Sequence, residues 1–463
     1  MAEMIKAGAI TVEEFTLINE AGQTFDLKTY IVELSIHEDM FSNCLSGSVI
    51  IADGSNLVGN IPIIGREIIT VRVSNPGIEN SSIQRSFYIY AIEDRSPSST
   101  DRQQIYILKF ISLEGMIDNI TFVSKKYSGP TDEIAKKIFN EYLQFPRIWD
   151  KTYPFPKGIT INESLNVPSW RTDVPQKNLT QLITGPQSLT PFKTKVTCVV
   201  PLWTPFKILN WLANRSIDAE NDSPSVLFWE SSQSFYFASV ESIFKAQRDV
   251  KLRKMYFYGL DDTAIKEIEK NKNSLGEKFK KVEELKITKN TDVLNAQDMG
   301  QYASNMHVVD IATKTYDMYV FDYPSNFDKF YHLDGARPTF STNQVRNPQS
   351  YKVFKPKHRG LFDITEDQKY EDWVLQRNSI MYDLNNIRIE ITVPGFCATE
   401  AGEVVQFYYP NMAEKNNVKD ITRLIDPHLS GAYLVTAIRH IFVENKYYMR
   451  MELVKESFAT SLG

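Results

Sequence analysis

The sequence is poor in the residues on which most site chemistries depend. Its three cysteines, Cys44, Cys198 and Cys397, are odd in number, far apart and without a CxxC spacing, which argues against both a disulfide framework and a zinc site. They read as buried thiols of a protein made in a reducing, cytoplasmic compartment. The six histidines, His37, His307, His332, His358, His428 and His440, show no HxH, HExxH or HxxxH spacing, so no metal is expected. GxSxG, GxxxxGK[ST] and GxGxxG are all missing, which removes the hydrolase, P-loop and dinucleotide readings and leaves no cofactor to expect. No window nears the roughly 18 apolar residues of a membrane span, so no membrane insertion is expected. Met1 to Ile10 has no apolar run that could serve as a signal core. A net charge of -5 against 52 basic residues describes a mixed surface, with no global electrostatic case for nucleic acid or an anionic membrane.

What is present is an ordinary globular composition, 42% hydrophobic and 12% aromatic over 463 residues. At roughly 100 to 200 residues per domain this length implies two to four domains. Alternating and β-branched segments between turn residues predict strands over Tyr30 to His37, Leu45 to Ile51, Glu67 to Val73, Ser86 to Glu93 and Gln104 to Leu113. After Ser128-Gly129-Pro130 the period becomes helical, with Ile134, Ile138, Phe139, Tyr142 and Leu143 on one face behind a Thr131 cap. Pro146, Pro154, Pro156, Pro168 and Pro175 mark an irregular connector. A second helix starts at Thr204-Pro205, and a hairpin turns around Ser231-Ser232-Gln233. Residues 245 to 290 carry thirteen Lys or Arg against eight Asp or Glu, which reads as a solvated charged surface. Thr365-x-x-Gln368 is a capping box before a further helix. The chain closes with strands over Ile387 to Val393, Glu403 to Tyr409, Tyr433 to Val443 and Lys446 to Val454, with Glu444-Asn445 as a tight turn.

The last strand block echoes the first in the same order. Gly65 to Val73 matches Gly402 to Tyr409, Tyr88 to Ile92 matches Tyr433 to Ile438, and Ile105 to Leu113 matches Tyr447 to Val454. The fold class expected is mainly β (α+β), with two similar antiparallel β-barrel modules, an α+β connector and inserted subdomains. The boundaries expected are 1–126 for the first barrel, 127–245 for the connector, 246–325 for the start of the second barrel with an insertion, 326–386 for a helical or irregular insert, and 387–463 for the rest of the second barrel. Gly65 and Gly402, with Glu67 and Glu403 just after them, are the expected turn positions, because Gly tolerates the φ values that tight turns need.

Val393-Pro394-Gly395, Ala401-Gly402-Glu403-Val404-Val405, Leu429 to Val435, Arg439-His440 and Tyr447 to Leu453 together resemble the end of the tail-hub superfamily. That group comprises baseplate hub proteins of T-even-like contractile phages, the late control protein D group and the first part of the type VI secretion spike VgrG. Leu45-Ser46-Gly47-Ser48-Val49 with Pro62 to Glu67 is similar to the opening module of such hubs. Val200 to Ser216, Phe228-Trp229-Glu230 and Phe235-Tyr236-Phe237 are similar to their middle domain. The resemblance implies a virion structural protein, not an enzyme, assembled in the host cytoplasm into a homotrimeric, six-lobed ring. It implies a central spike protein on one side and tail tube or tube-initiator proteins on the other, with wedge proteins around it and DNA passing transiently through the lumen. The 23 Tyr, 27 Phe and 6 Trp are side chains that permanent interfaces favour.

The rival reading is a cell-wall glycan-binding or glycan-degrading tail-associated β-protein. Its candidate carboxylates are Asp261-Asp262, Glu283-Glu284 and Glu366-Asp367, since glycoside hydrolysis pairs two acids about 5 to 9 Å apart. His37-Glu38-Asp39 reads as a surface loop, and His440 as a structural hydrogen-bonding residue. The site residues expected are therefore structural turns, with no catalytic, cofactor-binding or metal-ligating set.

Overall fold

The computed structural model describes residues 7–19, 22–61, 63–65, 67–78, 81–97, 103–143, 190–248, 253–269, 280–311, 313–335, 351–356, 369–412 and 424–458. Its first strands are β1 (Thr11–Ile18), β2 (Thr24–Asp26), β3 (Ile31–Asp39), β4 (Ser46–Asp53), β5 (Ile68–Ser74), β6 (Ser82–Pro97) and β7 (Gln104–Ser112). They pair in the order β3-β4-β7-β6-β5-β1-β2, always antiparallel. Alternation drives this arrangement: β4 buries Gly47, Val49, Ile51 and Asp53, and β7 buries Tyr106, Leu108, Phe110 and Ser112, giving one apolar and one wet face. The β1–β2 ladder runs on past β2, where Leu27 N donates to Phe15 O at 2.9 Å. β1 escapes the alternation pattern because a register shift between Val12 and Glu14 breaks the period of two. The last of these strands stops one residue before Leu113, where Ser112 caps the helix Leu113–Ile120 by accepting from Gly115 N.

The connector adds β8 (Lys126–Pro130), β9 (Lys195–Val199), β10 (Val226–Glu230) and β11 (Phe235–Ser239). The helix Thr131–Ile138 begins one residue earlier than a Thr131 cap requires: Pro130 is the N-cap, and the Thr131 hydroxyl instead accepts from Ser216 Oγ at 2.7 Å. The helix Pro205–Arg215 has Thr204 as N-cap and Pro205 at its first position, and buries Ile208, Leu209 and Leu212. Trp211 is half-buried under the Arg215 guanidinium. The hairpin of β10 and β11 is buried along its whole length. The proline-rich stretch from Pro146 to Pro175 and the Thr365-x-x-Gln368 box lie outside the described residues.

The second module contains β12 (Met255–Phe257), β13 (Glu284–Asn290), β17 (Ile387–Pro394), β18 (Val404–Tyr408), β19 (Gly431–Val443) and β20 (Lys446–Lys455). Between β13 and β17 stand β14 (Ala303–Asp310), β15 (Thr315–Asp322) and β16 (Lys352–Pro356), which form a separate three-stranded sheet backed by the helix Val374–Asp383. The expected boundary at 325/326 therefore falls inside this sheet, because β16 returns to pair with β14. The paths β18-β19-β20-β17-β13 and β5-β6-β7-β4-β3 are the same, and every pair in both is antiparallel. One irregularity coincides as well, although β6 has a further shift between Glu93 and Ser96 that β19 lacks. β6 shifts register between Ile89 and Ala91, and β19 between Val435 and Ala437. Just before those shifts, Ile89 N donates to Glu67 O and Val435 N to Glu403 O, both at 2.9 Å. Aligned on these features, Tyr88 corresponds to Leu434, one residue on from Tyr433.

The modules are not two independent barrels. Residues 33–39 of β3 pair with 437–443 of β19, fusing both halves into one 13-stranded sheet over a common core. The Asn75 side chain crosses the same junction, donating to Ala9 O (3.1 Å) and Gly395 O (3.2 Å) while accepting from Cys397 N (2.8 Å). Behind the seam, Glu38 and His440 are fully buried and joined at 2.8 Å, and the other His440 nitrogen lies 2.7 Å from Tyr447 OH. His37-Glu38-Asp39 is thus the end of a central strand and not a surface loop. Strand alternation turns Glu38 inward, where a partner waits. Removing one member of a buried pair leaves the other uncompensated, so Glu38→Ala is expected to cost about 3–5 kcal/mol. Replacing the pair together by Leu and Phe should cost less than either single change, as read by urea denaturation.

Candidate functional site

The tip of the β10–β11 hairpin is wedged where the modules meet, and its polar atoms bind both. Toward the first module, Glu230 accepts from Leu45 N (2.9 Å), and Arg85 donates to the carbonyls of Ser231 (2.9 Å) and Ser232 (3.0 Å). Toward the second, Ser231 Oγ donates to Glu400 (2.6 Å), Tyr236 OH donates to the same carboxyl (3.2 Å), and Trp229 Nε1 donates to Ala401 O (3.3 Å). Glu38 closes the cluster by accepting from Ala401 N at 2.9 Å.

Burial pushes the Glu38 carboxyl up, but the bond and charge of His440, with Ala401 N and Ser232, outweigh it and hold Glu38 below the ordinary glutamate value. Burial pushes Glu400 up to about 8; the Ser231 bond opposes the rise, and nearby Glu38 and Glu403 add to it. The two groups act at opposite ends of the pH scale. The Glu38 contribution is present above its unfolded value near 4.5 and is lost as pH falls through its lower folded value. Folded Glu400 keeps a proton that the unfolded chain releases above about 4.5, so its contribution declines from there to about pH 8. Glu400→Gln, which retains an acceptor for Ser231 and Tyr236, is expected to flatten the fall in stability between pH 5 and 8. The flattening is up to one proton's worth of slope, measured by thermal melts across that range.

The four residues expected at turns lie at equivalent ends of β5 and β18. Gly65 has φ +88° and Gly402 φ +96°. The Glu67 carboxylate accepts from Ile64 N (2.7 Å) and Gly65 N (2.9 Å), tying its turn to itself. Glu403 instead meets Lys254 Nζ at 2.7 Å, and that ammonium also donates to Ala398 O and Thr399 Oγ1. Burial raises the Glu403 carboxyl, while Lys254 pulls it back. A Cβ at Gly402 would stand 3.0 Å from Trp229 Cζ2, whereas one at Gly65 meets nothing nearer than Tyr90 O at 3.6 Å. Backbone strain at such positions is about 1–3 kcal/mol. Gly402→Val is therefore expected to lower the thermal midpoint clearly more than Gly65→Ala, since it adds a clash with the wedge to that strain.

The wet face of the fused sheet carries paired charges of both signs: Arg388–Glu452 (3.3 Å), Arg439–Glu33 (3.0 Å), Lys109–Glu93 (3.7 Å) and Arg450–Glu284 (3.8 Å). Open edges of this sheet include β13 and the second half of β6, besides the short terminal strand β2. Among the described residues, no strand pairs with the outer side of β13, and residues 91–97 of β6 pair only with β7. Two apolar surfaces are also exposed. One is formed by Tyr316, Met318, Val320 and Phe354 on the inserted sheet, and the other by Ile120, Phe122 and Leu202 on the connector.

The remaining candidates serve structural roles or stay apart. Asp261 accepts from Ala264 N at the start of the helix Asp262–Glu269, Glu284 faces Arg450, and Glu366-Asp367 lies outside the described residues. Among the described residues, no three His, Cys, Asp or Glu are grouped to hold a metal, and no helix is long and apolar enough to cross a membrane. The cysteines are free; Cys397 is buried, while Cys44 and Cys198 are only partly so. Sequence reasoning missed Glu400, Lys254 and Arg85, and set Glu38 in a surface loop. Only Glu38 carried a signal, through its place two residues after Ile36 on an alternating strand.

No protein-family model matches the chain, and no curated protein matches it. Among solved structures it is similar to the tail protein from Neisseria meningitidis MC58, with 11% identity, 97% of each chain covered and a TM-score of 0.49. It is similar also to the 43 kDa tail protein of prophage MuSo2 from Shewanella oneidensis, with 9% identity, 96% of this chain and 98% of that one covered, and a TM-score of 0.47. A chain of the half-lidded Francisella PdpA-VgrG complex aligns at 9% identity over 97% of this chain and 58% of its own length, with a TM-score of 0.41. These structural neighbours are thus tail proteins, one of them of a prophage, and a VgrG-containing assembly.

Proposed function

We propose that the chain is a structural hub of a contractile phage tail, a homotrimeric ring that joins the tail tube to the central spike in the virion baseplate. The observation that carries this reading is the seam within the chain. β3 of the first module pairs with β19 of the second, and the counterparts of these strands, β13 and the second half of β6, each keep one side unpaired among the described residues. Repeating the internal seam between chains is a head-to-tail contact, and such contacts close into rings when the rotation per copy allows. Three chains of two modules each make six near-equivalent lobes. The contact also removes open strand edges, which otherwise invite aggregation.

The wet face, with ion pairs of alternating sign, lines the central opening in this reading. DNA passes it transiently, because no uniform basic field is there to hold it. The apolar surfaces on the inserted sheet and the connector are available to spike, tube or wedge proteins, since exposed apolar patches mark interaction sites. The role is architectural and calls for no catalysis.

Negative-stain class averages and native mass spectrometry of the full chain test the reading. The expected result is a three-fold, six-lobed ring with a central hole and three times the monomer mass. Compact particles without a hole at every concentration, or a two-fold dimer, would overturn it.

A further inference from the structure

The internal seam fixes more than which edges meet; it also fixes their register. Leu34 pairs with Val49, Val49 with Leu108, and Leu108 with Ile92. The matching row in the second module runs from Leu285 through Ile391 and Met451 to Ile438. Leu285 therefore stands where Leu34 does, and Ile92 where Ile438 does. Counting along the strands, Lys286 takes the place of Ser35 and Glu93 that of Arg439. Past the shift between Ile287 and Lys289, Lys289 takes the place of His37.

Within the chain, Arg439 lies opposite His37 and its guanidinium reaches Ser35 Oγ (3.1 Å) and Glu33 (3.0 Å). Transferring that geometry to the open edges, as far as Glu93, after which β6 makes a shift that β19 lacks, puts Lys289 opposite Glu93, with Lys286 in the place of Ser35 beside it. The sign of the seam is inverted. The cation sits on the second-module strand β19 within the chain, whereas between chains the anion sits on β6 and the cations on β13. Glu93 is half exposed and already held on the wet face by Lys109. Glu284, the counterpart of Glu33, is occupied by Arg450.

We infer that β13 of one copy pairs antiparallel with the open half of β6 of the next, in register at Glu93, and that Lys286 and Lys289 against Glu93 select this pairing over the alternatives. This rests on the ring reading above and names its seam. The inversion works by repulsion as much as by attraction. A stray β13 against β19 would set Lys289 opposite Arg439, and a stray β3 against β6 would bring Glu33 to Glu93. Like charges facing one another disfavour both mistakes, so the modules alternate around the ring. Lysines on an open edge strand also keep the free chain from pairing at random.

The test uses the full chain and sedimentation equilibrium at low and moderate salt, with a thermal melt of each variant to confirm folding. Glu93→Lys, and separately Lys286→Glu with Lys289→Glu, are each expected to weaken trimer formation at least tenfold at low salt, with less effect at higher salt. Combining all three changes is expected to restore association to within a few-fold of the original. If the unaltered chain forms three-fold rings that neither reversal weakens, or if the combination restores nothing, the charged seam is overturned while the ring stands. If the unaltered chain stays monomeric throughout, the ring reading falls and the seam with it.

Discussion

The buried carboxylate of Glu38 is the constraint on which the architecture turns. A charge taken fully out of water is tolerable only with a close partner and its remaining lone pairs satisfied. Here the partners come from two distant stretches of chain: His440 on β19, and Ala401 N just before β18. Meeting that demand fixes the register of β3 on β19, because a slip by one residue would turn Glu38 to the wet face and leave His440 alone. It also fixes the loop from Gly395 to Gly402, and through Glu400 the tip of the hairpin that carries Ser231 and Tyr236. Fold specificity at this junction is thus set by a small polar cluster inside a large apolar core.

The duplicated modules show how one topology accommodates unequal surroundings. The turn from β3 to β4 is short, whereas at the same point the second module admits the whole inserted sheet between β13 and β17. A connection on the wet rim tolerates such lengthening because loop closure costs rise only slowly with length. The insert is then tied back by its own polar contacts: Asp334 meets Lys455 (3.3 Å) and Ala432 N (3.2 Å), and Leu333 N donates to Glu456 at 2.7 Å. The core strands keep their pairing while the periphery diverges.

How much of this was legible in the sequence depended on whether the signal was local. β4, β7, β17 and β20 declared themselves by alternation, and the helix Pro205–Arg215 by its Thr-Pro start. β1 did not, because its shift at Val12 and Glu14 spoils the period, and the helix Leu113–Ile120 was hidden behind the strand reading that ran through its cap. The order of the repeat was readable, but not its alignment to the residue, which depends on bulges that only strand pairing defines. The positive φ at Gly65 and Gly402 follows from a residue type that sequence displays. The partners of Glu67 and Glu403 differ completely, since Lys254 reaches Glu403 from β12's flank through tertiary packing that no spacing encodes.

The unequal chemistry of the two kinds of edge has a physical logic. A seam inside one chain forms while its strands are tethered, at high effective concentration, so it can bury a carboxylate with its imidazole partner and their hydrogen bonds permanently. In the proposed ring, an edge that waits in water for another copy cannot carry the same residues exposed without inviting errors. Accordingly, one step beyond Lys289, the position matching buried Glu38 is the exposed Asn290, and beyond Glu93 the β6 edge continues with exposed Asp94, Arg95 and Ser96. Solvated charges give less energy per contact than the Glu38–His440 pair. They give selectivity and a favourable encounter instead, which is what a contact between separate chains requires.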